Sequence, residues 1–139
     1  MDEIIANVKK YLKIINKNID NIEKENEGLV DFAINEVLDR VQLYLNSDII
    51  PTKLERILAN IVNNGLKRCL KEIEISKEDN TAVDQVVTSI SDNGQSISYA
   101  NEVTNYFTTV NDEELFTGFG GLLSRYRRIK VVYPKNNED

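Results

Sequence analysis

The stretch LERILANIVNNGLKRCLKEI, residues 54–73, carries the clearest helical periodicity in the chain. Its apolar residues recur every three or four positions and form one stripe, with the charged residues opposite. Pro51 interrupts any preceding helix, and Thr52 followed by Glu55 has the spacing of a capping box. Cys69 falls on the apolar stripe, so we interpret it as a small buried hydrophobe rather than a reactive thiol. The stretch predicts a long amphipathic helix, the third in the chain.

Two further helices are predicted on its N-terminal side. One runs from Asp2 to about Asn16, where isoleucine, valine and leucine recur at helical spacing opposite three lysines. The other runs from about Leu29 to Leu45, and its broad apolar face predicts burial against more than one neighbour. The polar residues between them predict a connection, with Ile19 and Ile22 as its candidate contacts with the core.

The stretch VVTSISDNGQSISYA, residues 86–100, has the pattern of a β-hairpin. Asn-Gly between alternating residues is a strong signal for a type I′ turn, which places Ile90 opposite Ile97. A two-stranded ribbon is marginal alone, so we expect it to pack on the chain's own helices or on another subunit or partner. The short polar side chains would form that interface: Ser89, Ser91, Asn93, Gly94, Ser96 and Ser98.

The C-terminal part predicts a last helix followed by an arm. Asn111 and three acidic residues after it resemble a helix start from about residue 112. The glycines at 118, 120 and 121 imply either a break in the helix or close approach by another backbone. The arm combines cations with strand-prone apolar residues and is read as a solvated helix end, a docking arm or, less readily, a nucleic-acid patch. Its residues are Arg125, Tyr126, Arg127, Arg128, Ile129, Lys130, Val131, Val132 and Tyr133.

Composition narrows the classes of function. A chain of 139 residues fits one domain, and its net charge of −6 disfavours general affinity for phosphate backbones. It has no histidine and one cysteine, which removes the commonest general base and zinc ligand. No run approaches the roughly 20 apolar residues of a transmembrane helix, and the acidic start is unlike a signal peptide. We therefore expect a cytosolic binding or scaffolding protein without cofactor or metal, not an enzyme; a carboxylate-based enzyme, which would need two buried acids in one cleft, is the weakest alternative.

Three segments in this order resemble the small head–tail connector proteins of tailed bacteriophages, also called adaptor or head-completion proteins. They are Ile50-Pro51 with Leu54-Glu55, the Gly94–Tyr99 segment, and Leu123-x-x-Tyr126-Arg127. The likeness spans about residues 4–132. It implies a mainly α single connector domain over 1–139: a helical bundle at about 3–73, an inserted β-hairpin at about 86–100, and a C-terminal helix plus extended arm at about 112–139.

The resemblance also implies partners and a location. A ring of twelve copies would bind the portal through the arm and a stopper or tail-completion protein on its other surface. DNA would pass through the lumen without specific binding, and no membrane would be involved. The protein would belong to the neck of the virion, assembled in the cytoplasm of the bacterial host. The alternative from the residues alone is a cytosolic regulatory or antitoxin-like module that binds another protein.

Overall fold

The structure, a computed structural model, describes residues 2–80 and 93–127, and this part of the chain is helical without any strand. Several helices pack together, as predicted. None of them is long and apolar enough to cross a bilayer. The helices are α1 (Asp2–Ile15), α2 (Ile19–Glu25), α3 (Leu29–Leu45), α4 (Glu55–Asn80), α5 (Asn93–Thr109), α6 (Asp112–Leu115) and α7 (Gly120–Ser124), with a 3-10 turn at Thr52–Leu54 before α4.

The two predicted N-terminal helices are confirmed as α1 and α3. The polar connection between them contains the two-turn helix α2, in which Ile19 and Ile22 are buried, as expected of its contacts with the core. Helix α3 ends where Asn46 adopts a left-handed conformation, with φ of 56°. The Asn46 and Ser47 amides donate to the carbonyls of Leu43 and Gln42, at 3.2 Å and 3.1 Å, and so satisfy the end of the helix.

Helix α4 is the third amphipathic helix that the sequence predicts, and it extends beyond the predicted end. The predicted capping box does not form. The Glu55 carboxylate is instead buried and accepts a hydrogen bond from Asn7 Nδ2 of α1 at 3.2 Å. Pro51 instead precedes the 3-10 turn that leads into α4. The helix continues to Asn80 because lysine and glutamate remain good helix formers after the apolar stripe has ended. Cys69 is buried, as predicted.

The predicted β-hairpin is wrong. Asn93 and Gly94, its expected turn, begin α5, and the residues of the expected second strand are helical. Three fully buried residues, Tyr99, Val103 and Phe107, are spaced by four and form one stripe that faces the core. Burying that stripe against α3 and α4 outweighs a turn preference of two residues. Residues 86–92 of the expected first strand lie outside the described residues.

The last predicted helix begins as expected and then breaks. The Asn111 side chain accepts a hydrogen bond from the Glu114 amide at 2.8 Å, so Asn111 caps α6. The chain leaves the helix after Leu115 and turns at Gly118, whose φ of +89° is easy only for glycine. The structure therefore shows a break in the helix, which is the first of the two predicted explanations for the glycines, and α7 begins after the break.

One core joins all seven helices of residues 2–80 and 93–127. Helices α1 and α5 each pack on both α3 and α4. Arg56 of α4 lies over the ring of Tyr11 in α1, whereas Arg68 of α4 lies over the ring of Tyr106 in α5. At 3.6 residues per turn these two arginines are about 120° apart around α4. The surfaces at α1 and at α5 therefore face different sides of the molecule.

Candidate functional site

The base of the predicted arm is packed against the helical body. Leu123 of α7 is fully buried, and Tyr126 packs against the core. The Tyr126 amide donates to the Leu123 carbonyl at 3.0 Å, which continues the turn beyond the helix. Arg125 is exposed. The first residues of the arm therefore leave the body from a defined place.

Arg127 is held by an aromatic pair. Its guanidinium carbon lies 4.9 Å from the ring centre of Tyr44 in α3, the geometry of a cation–π contact. Tyr44 meets Phe116 edge-on, with ring centres 5.4 Å apart. The arm thus contacts its own body as far as Arg127. Arg128, Ile129, Lys130, Val131, Val132 and Tyr133 lie outside the described residues.

Arg40 of α3 fixes the segment that precedes the arm. Its Nη1 donates to the carbonyl of Val110 at 2.5 Å and to Asp112 Oδ1 at 3.2 Å. Leu43, one turn further along α3, has 74% of its surface exposed. A large apolar side chain therefore stands in solvent beside Tyr44, the residue on which Arg127 rests.

The described residues of the predicted polar interface are helical rather than extended, beginning with Asn93. Gly94, Ser96 and Ser98 lie on α5, and Ser98 is exposed. Ser89 and Ser91 lie outside the part of the chain that the structure describes.

A pocket of about 590 Å³ lies between α2, α4 and the α1–α2 connection, and sequence reasoning missed it. On its wall, Asn16 Nδ2 donates to Asn63 Oδ1 at 2.8 Å. Tyr99 donates its hydroxyl to the Leu66 carbonyl at 3.0 Å, and burial raises the pKa of this phenol. The sequence feature that could have indicated this pocket is Asn63, a polar amide between apolar positions of α4. Such a pocket can hydrogen-bond a small polar group.

An apolar groove of about 260 Å³ lies between α1 and α4, lined by Tyr11, Ile14, Ile15, Arg56, Ala59 and Asn60. Ile14 is 67% exposed and Ile15 is 44% exposed. The prediction that the apolar residues of α1 face the core holds for Val8 and Leu12, which are fully buried. Ile14 and Ile15 come near the end of the helix, where the stripe turns out toward solvent.

The ion pairs among the described residues join different helices. Lys9 of α1 pairs with Glu23 of α2 at 2.5 Å and with Asp31 of α3 at 3.0 Å. The hydrogen bond that Lys9 donates to Glu23, followed by the one it donates to Asp31, raises the pKa of Lys9 against the effect of burial. Within residues 2–80 and 93–127, no group of three His, Cys, Asp or Glu is placed to hold a metal ion.

Comparison with known proteins identifies no relative. No family model, curated protein or solved structure matches the chain. Function is therefore inferred from the residues and from their geometry.

Proposed function

We propose that this protein is a structural, non-enzymatic connector in the neck of a tailed bacteriophage. Twelve copies form a ring that binds the portal, joins it to the stopper or tail, and leaves a channel for DNA. The resemblance in three ordered segments supports this assignment, and two of them, Ile50–Glu55 and Leu123–Arg127, lie in the helical body. The third, Gly94–Tyr99, is helical rather than extended, so it contributes to the body and not to a ribbon.

The anchoring of Arg127 on Tyr44 is the observation that carries the proposal. The chain leaves the body at a fixed point, the Arg127–Tyr44 contact, and the sequence continues with two cations, three branched apolar residues and a tyrosine in residues 128–133. Fixing the base of a docking segment lowers the entropy that is lost when the segment binds. Arginine and tyrosine are favoured at protein interfaces, where they provide planar contact area. Residues 128–133 are therefore the portal-binding segment.

The charge of the chain suits a conduit for DNA. Each copy carries a net charge of −6, so a ring of copies presents a strongly negative surface. Like charges repel a duplex from the wall of a channel, and salt weakens that repulsion. DNA then passes the ring without a specific binding site.

Deletion of Ile129–Asp139 tests the proposal. We expect the truncated protein to keep its helical circular dichroism and thermal midpoint, since Arg127 and the core remain. We expect it to lose capture by a portal protein encoded in the same genome. Deletion of Lys135–Asp139 alone is the matched control and keeps binding. Undiminished capture by the longer deletion contradicts the proposal.

The mass of the assembly separates the connector from the regulatory alternative. Light scattering of the co-expressed portal complex should give a ring near twelve times the 15.9 kDa of one chain, beyond the mass of the portal. A complex of one or two copies with a different cytosolic protein, and none with the portal, supports a regulatory or antitoxin-like module instead.

A further inference from the structure

The pocket between α2, α4 and the α1–α2 connection holds a buried polar side chain on its wall. Its volume of about 590 Å³ falls within the range of pockets that bind small organic molecules. Asn63 of α4 lines it and is 8% exposed, so more than nine-tenths of this residue is buried. Polar groups at such a depth are normally hydrogen-bonded.

The hydrogen bonds around Asn63 fix which of its atoms is left to meet a ligand. The Asn18 backbone amide donates to Asn16 Oδ1 at 2.9 Å, so Asn16 Nδ2 is the donating end of that side chain. Asn16 Nδ2 donates in turn to Asn63 Oδ1 at 2.8 Å. Asn63 Nδ2 is the remaining end, and it forms no hydrogen bond with a described residue. An amide nitrogen only donates, so the group that fits here is a hydrogen-bond acceptor.

Cations surround the opening of the pocket. Its described lining residues include three lysines and one carboxylate, all of them exposed: Lys17, Lys24, Lys67 and Glu25. None of the lysines forms an ion pair with a described carboxylate. Three positive charges thus face one negative charge, in a chain whose net charge is −6. A concave surface with an excess of one charge concentrates ions of the opposite sign, here anions.

The rest of the wall is apolar. Ile22 and Leu66 are buried, and Leu70 is half-buried. Tyr99 adds its ring, because its hydroxyl donates to the Leu66 carbonyl. An inorganic anion would leave these carbon surfaces without a partner, whereas an organic anion covers them.

We propose that this pocket binds a small organic carboxylate. The carboxylate accepts a hydrogen bond from Asn63 Nδ2, and its apolar body lies against Ile22, Leu66 and the ring of Tyr99. An ionised carboxylate is an acceptor only, and a hydrogen bond to it is stronger than one to a neutral group. The lysines at the opening attract the charge. This binding site goes beyond the connector function and does not depend on it.

The Asn63→Asp variant tests the donor. Its carboxylate keeps an oxygen for Asn16 Nδ2, but it replaces the Nδ2 donor with a negative acceptor that repels an anion. Asn64→Asp is the matched control, since Asn64 is exposed on the same helix and does not line the pocket. The probe is 3-phenylpropionate, titrated into the ¹⁵N-labelled full chain and followed by the side-chain amide signals in NMR spectra.

We expect saturable shifts of the amide signals of Asn63 and Asn16 in wild type. The Asn63 signal is identified by its loss in Asn63→Asp. The dissociation constant, followed through Asn16, should rise at least about tenfold in Asn63→Asp and stay within about twofold of wild type in Asn64→Asp. Thermal melts by circular dichroism should show both variants folded.

Two measurements do not depend on that variant. On wild type, 3-phenylpropionamide has the shape without the charge, and inorganic phosphate has the charge without the apolar body. Each should bind at least about tenfold more weakly than 3-phenylpropionate. Lys67→Gln should also weaken the carboxylate, whereas Lys71→Gln, at an exposed residue outside the pocket, should not.

Three results would overturn the carboxylate site. One is the absence of a saturable shift at Asn63 with 3-phenylpropionate up to about 20 mM. Another is equal affinity for the amide or for phosphate, which would remove the charge or the apolar body from recognition. The third is a folded Asn63→Asp variant that binds the carboxylate as tightly as wild type.

Discussion

At the scale of single residues, Tyr99 shows how a polar atom is accommodated in the core. Tyr99 is fully buried, and its hydroxyl is satisfied by the Leu66 carbonyl of α4. A buried hydroxyl without such a partner would be costly, so this hydrogen bond fixes how α5 meets α4. Cys69 was predictable because it lies on a regular apolar stripe, whereas the partner of Tyr99 lies 33 residues away in sequence and no local pattern indicates it.

The Tyr99→Phe variant gives a prediction that depends on pH. At pH 7 we expect it to be less stable than wild type by about 1 kcal/mol, the net value of one hydrogen bond. Burial raises the pKa of Tyr99 above its ordinary value of 10.0. The unfolded tyrosine therefore ionises above pH 10 while the folded one stays neutral, and wild type loses stability that the phenylalanine variant keeps.

Urea unfolding of both proteins at pH 8 and at about pH 10.5 measures this effect. The difference between their free energies of unfolding should shrink, or reverse in sign, at the higher pH. A difference that stays constant across this range would mean that Tyr99 ionises in the folded protein as readily as in the unfolded one.

At the scale of secondary-structure elements, the sequence correctly predicts the helices that follow from local features such as apolar periodicity. The extents of α1 and α3 and the cap of α6 follow from apolar spacing and from Asn111. The segment from Asn93 to Ala100 was mispredicted because Asn-Gly favours a hairpin locally. Its helix depends on burying Tyr99, Val103 and Phe107 together, which is a tertiary effect. The contact between Arg127 and Tyr44 could likewise not be predicted from the sequence, because the two residues are far apart in the chain.

Alanine at two glycines should change stability in opposite directions. Gly65 lies where α4 meets α5, and a Cβ there would stand 2.9 Å from Phe107 Cε1 and 3.0 Å from Tyr106 Cε2. The clash with a buried ring outweighs the better helix propensity of alanine, so Gly65→Ala should destabilise by about 1–3 kcal/mol. Gly121 in α7 has open space around it, and Gly121→Ala should stabilise by about 0.5 kcal/mol.

Chemical denaturation of the two variants and wild type provides the comparison. The pair is informative because the substitution is identical and only the surroundings differ. If Gly65→Ala were as stable as Gly121→Ala, α4 and α5 would not approach each other closely at this glycine.

At the scale of the whole molecule, one continuous core links the N-terminal helices to the base of the arm. Val8 of α1, Leu58 of α4, Phe107 of α5 and Leu123 of α7 belong to the same buried cluster. The composition of the chain predicts such a core in a single domain, but not that the arm base is part of it. Its inclusion means that the base of the proposed docking segment is positioned by the fold of the entire body.

A core of this kind predicts cooperative unfolding of the full chain. A chain of 139 residues is within the size that commonly unfolds in two states. Far-ultraviolet circular dichroism reports all helices, and fluorescence comes from tyrosine alone because the chain has six tyrosines and no tryptophan. We expect the two signals to share one urea midpoint.

The Ile61→Ala variant sharpens that test. Ile61 of α4 is 1% exposed, so its truncation should cost about 2–5 kcal/mol of the free energy of unfolding. Because α4 packs on α1, α3 and α5, both signals should shift to lower urea by the same amount. Alanine at the exposed Ile49 is the control and should leave the midpoint nearly unchanged. Separate shifts of the two signals would show that the helices unfold as independent units, and the arm base would then be held by only part of the body.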